Sequence, residues 1–219
     1  MKNIVLEQSG SLQTERTTVR RLPERAAYDR RTIEAIVDEA LICHVGFIAE
    51  GRPVVIPTIH TRIGEALYFH GSVASRMLRT LQAGVDVCVS ITLLDGLVLA
   101  RSAFHHSMNY RSVVVFGRAE VVGDREEKLR VLAALVEHVC PGRSADARTP
   151  NETELRQTLV LRVPITEASA KIRTGGPKDD QADLSMPVWA GVLPIALVPG
   201  EPVPDNTAAV PEYLRGYGR

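Results

Sequence analysis

Between residues 41 and 171 the chain reads as strand after strand, with few helices set between them. Residues 41–49 are apolar and rich in β-formers, residues 50–53 make a turn, and residues 54–63 return. That is the pattern of a hairpin. A second turn at Gly64-Glu65 leads into a third strand over residues 66–70. Two long strands follow: residues 85–100, with a kink expected at Asp95-Gly96, and residues 107–122, with a break expected at Gly117. Residues 158–171 form the last long strand. Four helical stretches are expected. They are residues 32–40 capped by Thr32, residues 74–83, residues 124–139 capped by Asp124, and residues 151–157 capped by Asn151. In the third, Leu129, Leu132, Leu135, Val136 and Val139 share one face. Parallel neighbours need a long crossover for each pair, and this order supplies few. The expected fold is therefore mainly β with flanking helices: an antiparallel barrel, closed or nearly closed, with the helices outside.

The two ends read differently. Residues 1–20 are polar and form an arm, residues 21–173 hold the barrel, and residues 174–219 make an extended, proline-rich tail. Apolar residues make up 45% of the 219, enough for a full core, while 26 basic residues balance 26 acidic ones. A nucleic-acid binder would need a basic excess, so that class is excluded. No apolar run approaches the ~20 residues that cross a bilayer, and no signal peptide is visible, so no membrane partner and a cytoplasmic location are expected. Cys43, Cys88 and Cys140 are far apart and read as buried, reduced thiols.

Three stretches could carry chemistry. The first is LYFHGSVASRML, residues 67–78, which runs from a strand through small residues into a helix. Gly71, Ser72 and Ser75 ahead of Arg76 offer backbone N–H groups, hydroxyls and a cation to a phosphate. Equally, Ser75 is a simple helix cap and Arg76 a solvated side chain. The second is PVVIPT, residues 53–58, where two prolines mark a strand that cannot pair fully. It either meets the polar edge of a flat ring or is an edge strand blunted against aggregation. The third is HHSMNYRS, residues 105–112: a site for an anionic or aromatic ligand, or a solvated loop. His105 and His106 have no third ligand at metal spacing, although a composite site with His44, His60 and His70 stays open. No nucleotide-triphosphate loop and no hydrolase elbow is present.

Together, PVVIPTI, LYFHGSVASRMLR, ARSAFHHSMNYRSVVVFG and KIRTGGPKDD…PVWAGVLPI make the chain resemble the pyridoxamine 5′-phosphate oxidase-like flavoproteins. The resemblance spans residues 20–195 and is nearest to the branch of nitroimidazole-resistance reductases and flavin-nucleotide-binding proteins. It implies an FMN-binding split barrel that works as a homodimer, with flavin at the subunit interface. By the same resemblance, Val54, Val55, Ile56, Pro57 and Thr58 would line the flavin ring, and His70, Gly71, Ser72, Ser75 and Arg76 would form the phosphate end. Arg111 and Ser112 match a further cofactor-binding pair. Met77 stands where the family has a lysine, and Arg79, one turn on from Ser75, is placed to compensate. The arginine and histidine that hold pyridoxal phosphate have no match, so oxidation of vitamin B6 is not expected. His70 matches a histidine that lies near the ligand in the nitroimidazole branch.

His70 and Tyr110 are the catalytic candidates, and Trp189 either covers the flavin from the partner chain or anchors the tail. The leading expectation is an FMN-dependent oxidoreductase that takes electrons from a reduced nicotinamide and passes them to a small-molecule substrate. The rival is a non-catalytic flavin- or haem-binding protein, serving as sensor, carrier or store.

Overall fold

The computed structural model describes residues 11–218, so the first ten residues of the expected arm lie outside the described residues. In chain order the elements are β1 (Ala26–Ala27), α1 (Arg30–Glu39), β2 (Ile42–Ala49), β3 (Arg52–Ile59), β4 (Thr61–Ile63), β5 (Ala66–Ser72) and α2 (Arg76–Leu81). Then come β6 (Asp86–Leu99), β7 (Ser107–Arg118), β8 (Glu120–Val121), α3 (Arg125–Val139), α4 (Arg143–Asp146) and α5 (Glu152–Gln157). The last are β9 (Thr158–Pro164), β10 (Ala168–Arg173), β11 (Gly191–Pro194) and α6 (Glu212–Arg215).

The strands make two antiparallel sheets. The larger has the order β1-β10-β7-β6-β2-β3, with β11 added along β6, and the smaller has the order β4-β5-β9-β8. Among the described residues hydrogen bonds do not close them into one ring, so of the closed and nearly closed forms expected the structure has the open one, a split barrel. Three strands that alternation alone reads as continuous are broken where the chain passes between sheets. The breaks are at His60, at Ala119 and at residues 165–167. At the first, His60 is fully buried and its Nε2 lies 3.0 Å from the Val37 carbonyl oxygen, so the turn is fixed to α1. Gly117 is not a break: β7 runs through it, and a Cβ there would stand 3.1 Å from Val163. The kink expected at Asp95-Gly96 is present as a register shift between Leu94 and Gly96.

The core fills the space between the sheets. Leu67 and Phe69 of β5, Leu161 and Val163 of β9, Val45 of β2 and Val89 and Ile91 of β6 meet there, closed by Ile33 and Val37 of α1 and Leu78 and Leu81 of α2. Helix α1 starts earlier than expected. Asp29, not Thr32, is its cap, accepting the Thr32 N–H at 2.8 Å. Asp124 and Asn151 cap α3 and α5 as expected, and Asn151 and Glu154 complete a capping box.

Both ends dock on the barrel. Leu12 is buried; its N–H donates to the Tyr28 carbonyl at 2.9 Å, and its own carbonyl accepts from Ala168 N at 3.0 Å. The tail returns as β11 along residues 96–99 of β6, a strand that sequence reading missed. Farther on, the Tyr217 hydroxyl donates to the Val139 carbonyl at 2.7 Å, fixing the tail's end to α3.

No disulfide links the three cysteines. Burial pushes the Cys43 thiol up to about 12. Since the thiolate is the reactive form, Cys43 is expected to resist alkylation at pH 8 in the folded protein and react fully in denaturant. Peptide mass spectrometry reads this directly, and rapid labelling of native Cys43 would contradict the buried position.

Candidate functional site

Helix α2 starts where the sequence places a phosphate loop. Ser75 is its cap, with its Oγ accepting the Leu78 N–H at 3.4 Å, and the Ser72 Oγ accepts the Ala74 N–H at 3.1 Å. The two hydroxyls hold the turn and keep their own protons free to donate. Arg76 is exposed and makes no ion pair among the described residues. It lines a cavity of about 510 Å³ together with Arg52, Pro53, Val54, Thr80 and Val85. Arg76 and the start of the proline strand therefore share one hollow, which carries two arginines and the Glu50 carboxylate, while Gly71, Ser72 and Ser75 do not line it.

Strand alternation divides the ring-lining candidates. Val54 and Ile56 pack toward the core, and Thr58 shares their side of β3. Val55 and Pro57 face outward with Pro53 and Ile59, beside Ile42 and Ile48 of β2, and make an exposed apolar face. β3 is an edge strand, paired only with β2.

The same alternation separates His70 from Gly71. A Cβ on Gly71 would stand 3.0 Å from Leu78, so this residue faces α2. His70 faces the other way and lines an apolar pocket of about 520 Å³ against α3. Its Nδ1 is buried and has no hydrogen-bond partner among the described residues. Burial lowers its pKa from the ordinary imidazole value, so the neutral ring is favoured. The whole apolar face expected on α3 forms a wall of this pocket: Leu129, Leu132, Val136 and Val139 line it together with Leu135, which is almost fully buried there. Sequence reading found the stripe but assigned it no pocket.

The remaining candidates lie elsewhere. Arg111 is held by two carboxylates, its Nη2 2.7 Å from both Glu39 Oε1 and Asp95 Oδ1. This pairing raises its pKa and occupies its fork. The Ser112 hydroxyl donates to the Lys171 carbonyl at 3.2 Å. Tyr110 is half-buried on the outer face, opposite Leu94 and Arg173 in the register. Trp189 is 67% exposed and lies over Gly191, where a Cβ would be 2.9 Å from its ring. In the third stretch, His105 Nε2 is 3.3 Å from Asp180, and His106 Nδ1 is 3.0 Å from the Ser102 carbonyl oxygen. No group of three potential metal ligands exists among the described residues. Sequence reading also missed Arg173, which is buried against Asn109 and the carbonyls of Gly175 and Gly176. The RTGG run was its signal.

The sequence model of the pyridoxamine 5′-phosphate oxidase family matches residues 29–172, and the chain belongs to this family. Two solved structures cover nearly all of it. A flavocytochrome from Azotobacter vinelandii is 40% identical, with 94% of this chain and 97% of that one covered and a TM-score of 0.85. A FAD- and haem-binding protein from Mycobacterium smegmatis is 36% identical, with 88% and 96% covered and a TM-score of 0.83. A protein from Bacteroides thetaiotaomicron, described as a candidate 5-nitroimidazole antibiotic resistance protein, is 27% identical, with 67% and 86% covered and a TM-score of 0.57. No curated protein sequence matches the chain. Among the described residues, no helix is long and apolar enough to cross a membrane.

Proposed function

We propose that this chain is a flavin-dependent redox protein. In this reading it works as a homodimer, binds flavin at the subunit interface, and carries haem as a second prosthetic group. The observation that carries the flavin reading is the hollow in which Arg76 and Arg52 meet the Pro53–Val54 strand. Two arginines that share a cavity with the exposed start of a helix suit a flavin phosphate. When bound, flavin supplies electron and hydride transfer. The chain's own residues do the rest: Arg76 and Arg52 hold the phosphate, and Val54 sets the ring beside the core. Reduced nicotinamide as donor and a small acceptor complete the proposal. FMN is the nucleotide that the sequence motifs favour. The 36% identical relative is described as binding FAD, so the flavin released from purified protein decides between the two nucleotides.

Arg76→Ala tests the phosphate end. Losing one charge-assisted contact costs about 1.5–3 kcal/mol, so flavin should bind roughly tenfold or more weakly, as read by fluorescence titration. Unchanged affinity would remove the phosphate from this hollow. Haem belongs to the same reading because the two relatives that cover nearly the whole chain are described as a flavocytochrome and a FAD- and haem-binding protein.

A further inference from the structure

Resting on that reading, we propose that the porphyrin occupies the pocket between β5 and α3, with His70 as the axial ligand of its iron.

The six histidines of the chain differ in what they can still bind. His60 and His138 lie within hydrogen-bond distance of the Val37 and Ala40 carbonyl oxygens. His105 lies beside Asp180, and His106 beside the Ser102 carbonyl. His44 stands exposed on the outer face of β2. His70 alone combines a buried, partnerless ring nitrogen with a place in the wall of a cavity among the described residues. A buried polar nitrogen with no partner costs stability, and such groups concentrate where a ligand completes them. The imidazole must be neutral to ligate iron, and burial in an apolar wall favours that form.

The cavity suits a flat, amphiphilic macrocycle. Its volume of about 520 Å³ lies within the ~300–1,000 Å³ of cofactor sites. Leu129, Leu132, Val136 and Val139 make its walls; on the α4 side lie Ser144, whose hydroxyl donates to Glu137, and Arg148, which is paired with Glu154 of the same rim. A haem's apolar ring matches these walls, and its two carboxylates would meet Arg148 only by displacing Glu154. Val136 and Val139 are each 36% exposed, which is apolar surface that a bound ring would cover. The location also keeps the two prosthetic groups apart. Gly71 faces α2 and the Arg76 side of the strand, while His70, one residue earlier, faces α3.

The experiment is a visible spectrum with separate flavin and haem quantification, on full-length protein supplied with flavin and haemin. It compares the wild type with His70→Gly, with His70→Gly plus imidazole, and with Ala133→Trp. The last variant fills the pocket from an exposed position of α3 and leaves His70 in place. Wild type should show a Soret band. His70→Gly should weaken haem binding by at least about tenfold, as loss of metal-site interactions does, with imidazole restoring the band and flavin content unchanged. Ala133→Trp should exclude haem and keep flavin. Wild type that takes up flavin but no haem would overturn the haem reading itself. Haem bound equally well by wild type and His70→Gly, with one spectrum, would leave the haem reading standing and overturn His70 as ligand. Haem retained by Ala133→Trp would overturn the pocket. Loss of flavin with haem intact in His70→Gly would return this histidine to the flavin site.

Discussion

Phe69→Ala should lower the stability of the chain by about 3–5 kcal/mol, the cost of deleting a fully buried aromatic ring. Phe69 is 0% exposed and heads the largest fully buried side chains. It lies on β5 opposite Leu161 of β9, on the face that packs against the larger sheet and α2. The ring therefore stands at the joint between the two sheets, where no neighbour on a single element can move in to fill the void. Against a total stability of about 5–15 kcal/mol, this is about a fifth or more of what holds the fold. For a chain of this size, roughly 2–4 °C per kcal/mol gives a fall in Tm of about 10 °C, read by circular dichroism and by the urea midpoint. Phe104→Ala is the control: Phe104 is 88% exposed, and a change within about 0.5 kcal/mol is expected. Equal effects of the two substitutions would mean that the sheets do not meet at Phe69.

Much of this fold could be read from the sequence, because alternation and capping are local signals. The strand runs and the caps of α3 and α5 follow from residues within a few positions of one another. The breaks between sheets do not. Residues on either side of His60 and Ala119 still read as β, and only the buried contact of His60 with Val37, 23 positions away, fixes one turn. β11 was hidden for the opposite reason. Its segment holds prolines and a glycine, and it becomes a strand only because residues 96–99 of β6 offer a free edge. A Cβ at Gly96 would approach the Leu193 carbonyl to 3.0 Å, so the glycine makes room for that pairing.

The candidate site shows the same division. The sequence brought forward Ser75, Arg76 and the proline strand, and the structure places Arg76 and the strand around one hollow. The family resemblance grouped His70 with Gly71 at the phosphate end, yet neighbours on a strand face opposite sides. Arg111 looked free for an anion. Its two carboxylates come from Glu39 on α1 and Asp95 on β6, 72 and 16 positions away, and no local pattern announces them.

Val55→Asp should separate the subunits of the proposed homodimer and lower its flavin content together. Val55 is 62% exposed in the single chain, and Ile42, Ile48 and Ile59 are exposed on the same face. Contiguous apolar surface of this kind marks an interaction site. β3 is the edge strand, but Pro53 and Pro57 remove two N–H groups from its rim. A second copy is thereby discouraged from adding as another strand and is left the face of the sheet. On a two-fold axis each substitution acts twice. A short carboxylate cannot reach solvent from the middle of such an interface, and an unpaired buried charge costs several kcal/mol. The dimer should therefore weaken by about 100-fold or more, read by sedimentation velocity across a concentration series. The folded monomer should lose little, because the position is exposed before association, and its Tm should fall far less than that of Phe69→Ala. A dimer of unchanged strength would place the interface on another face, and a monomer that keeps its full flavin content would place the flavin within one chain.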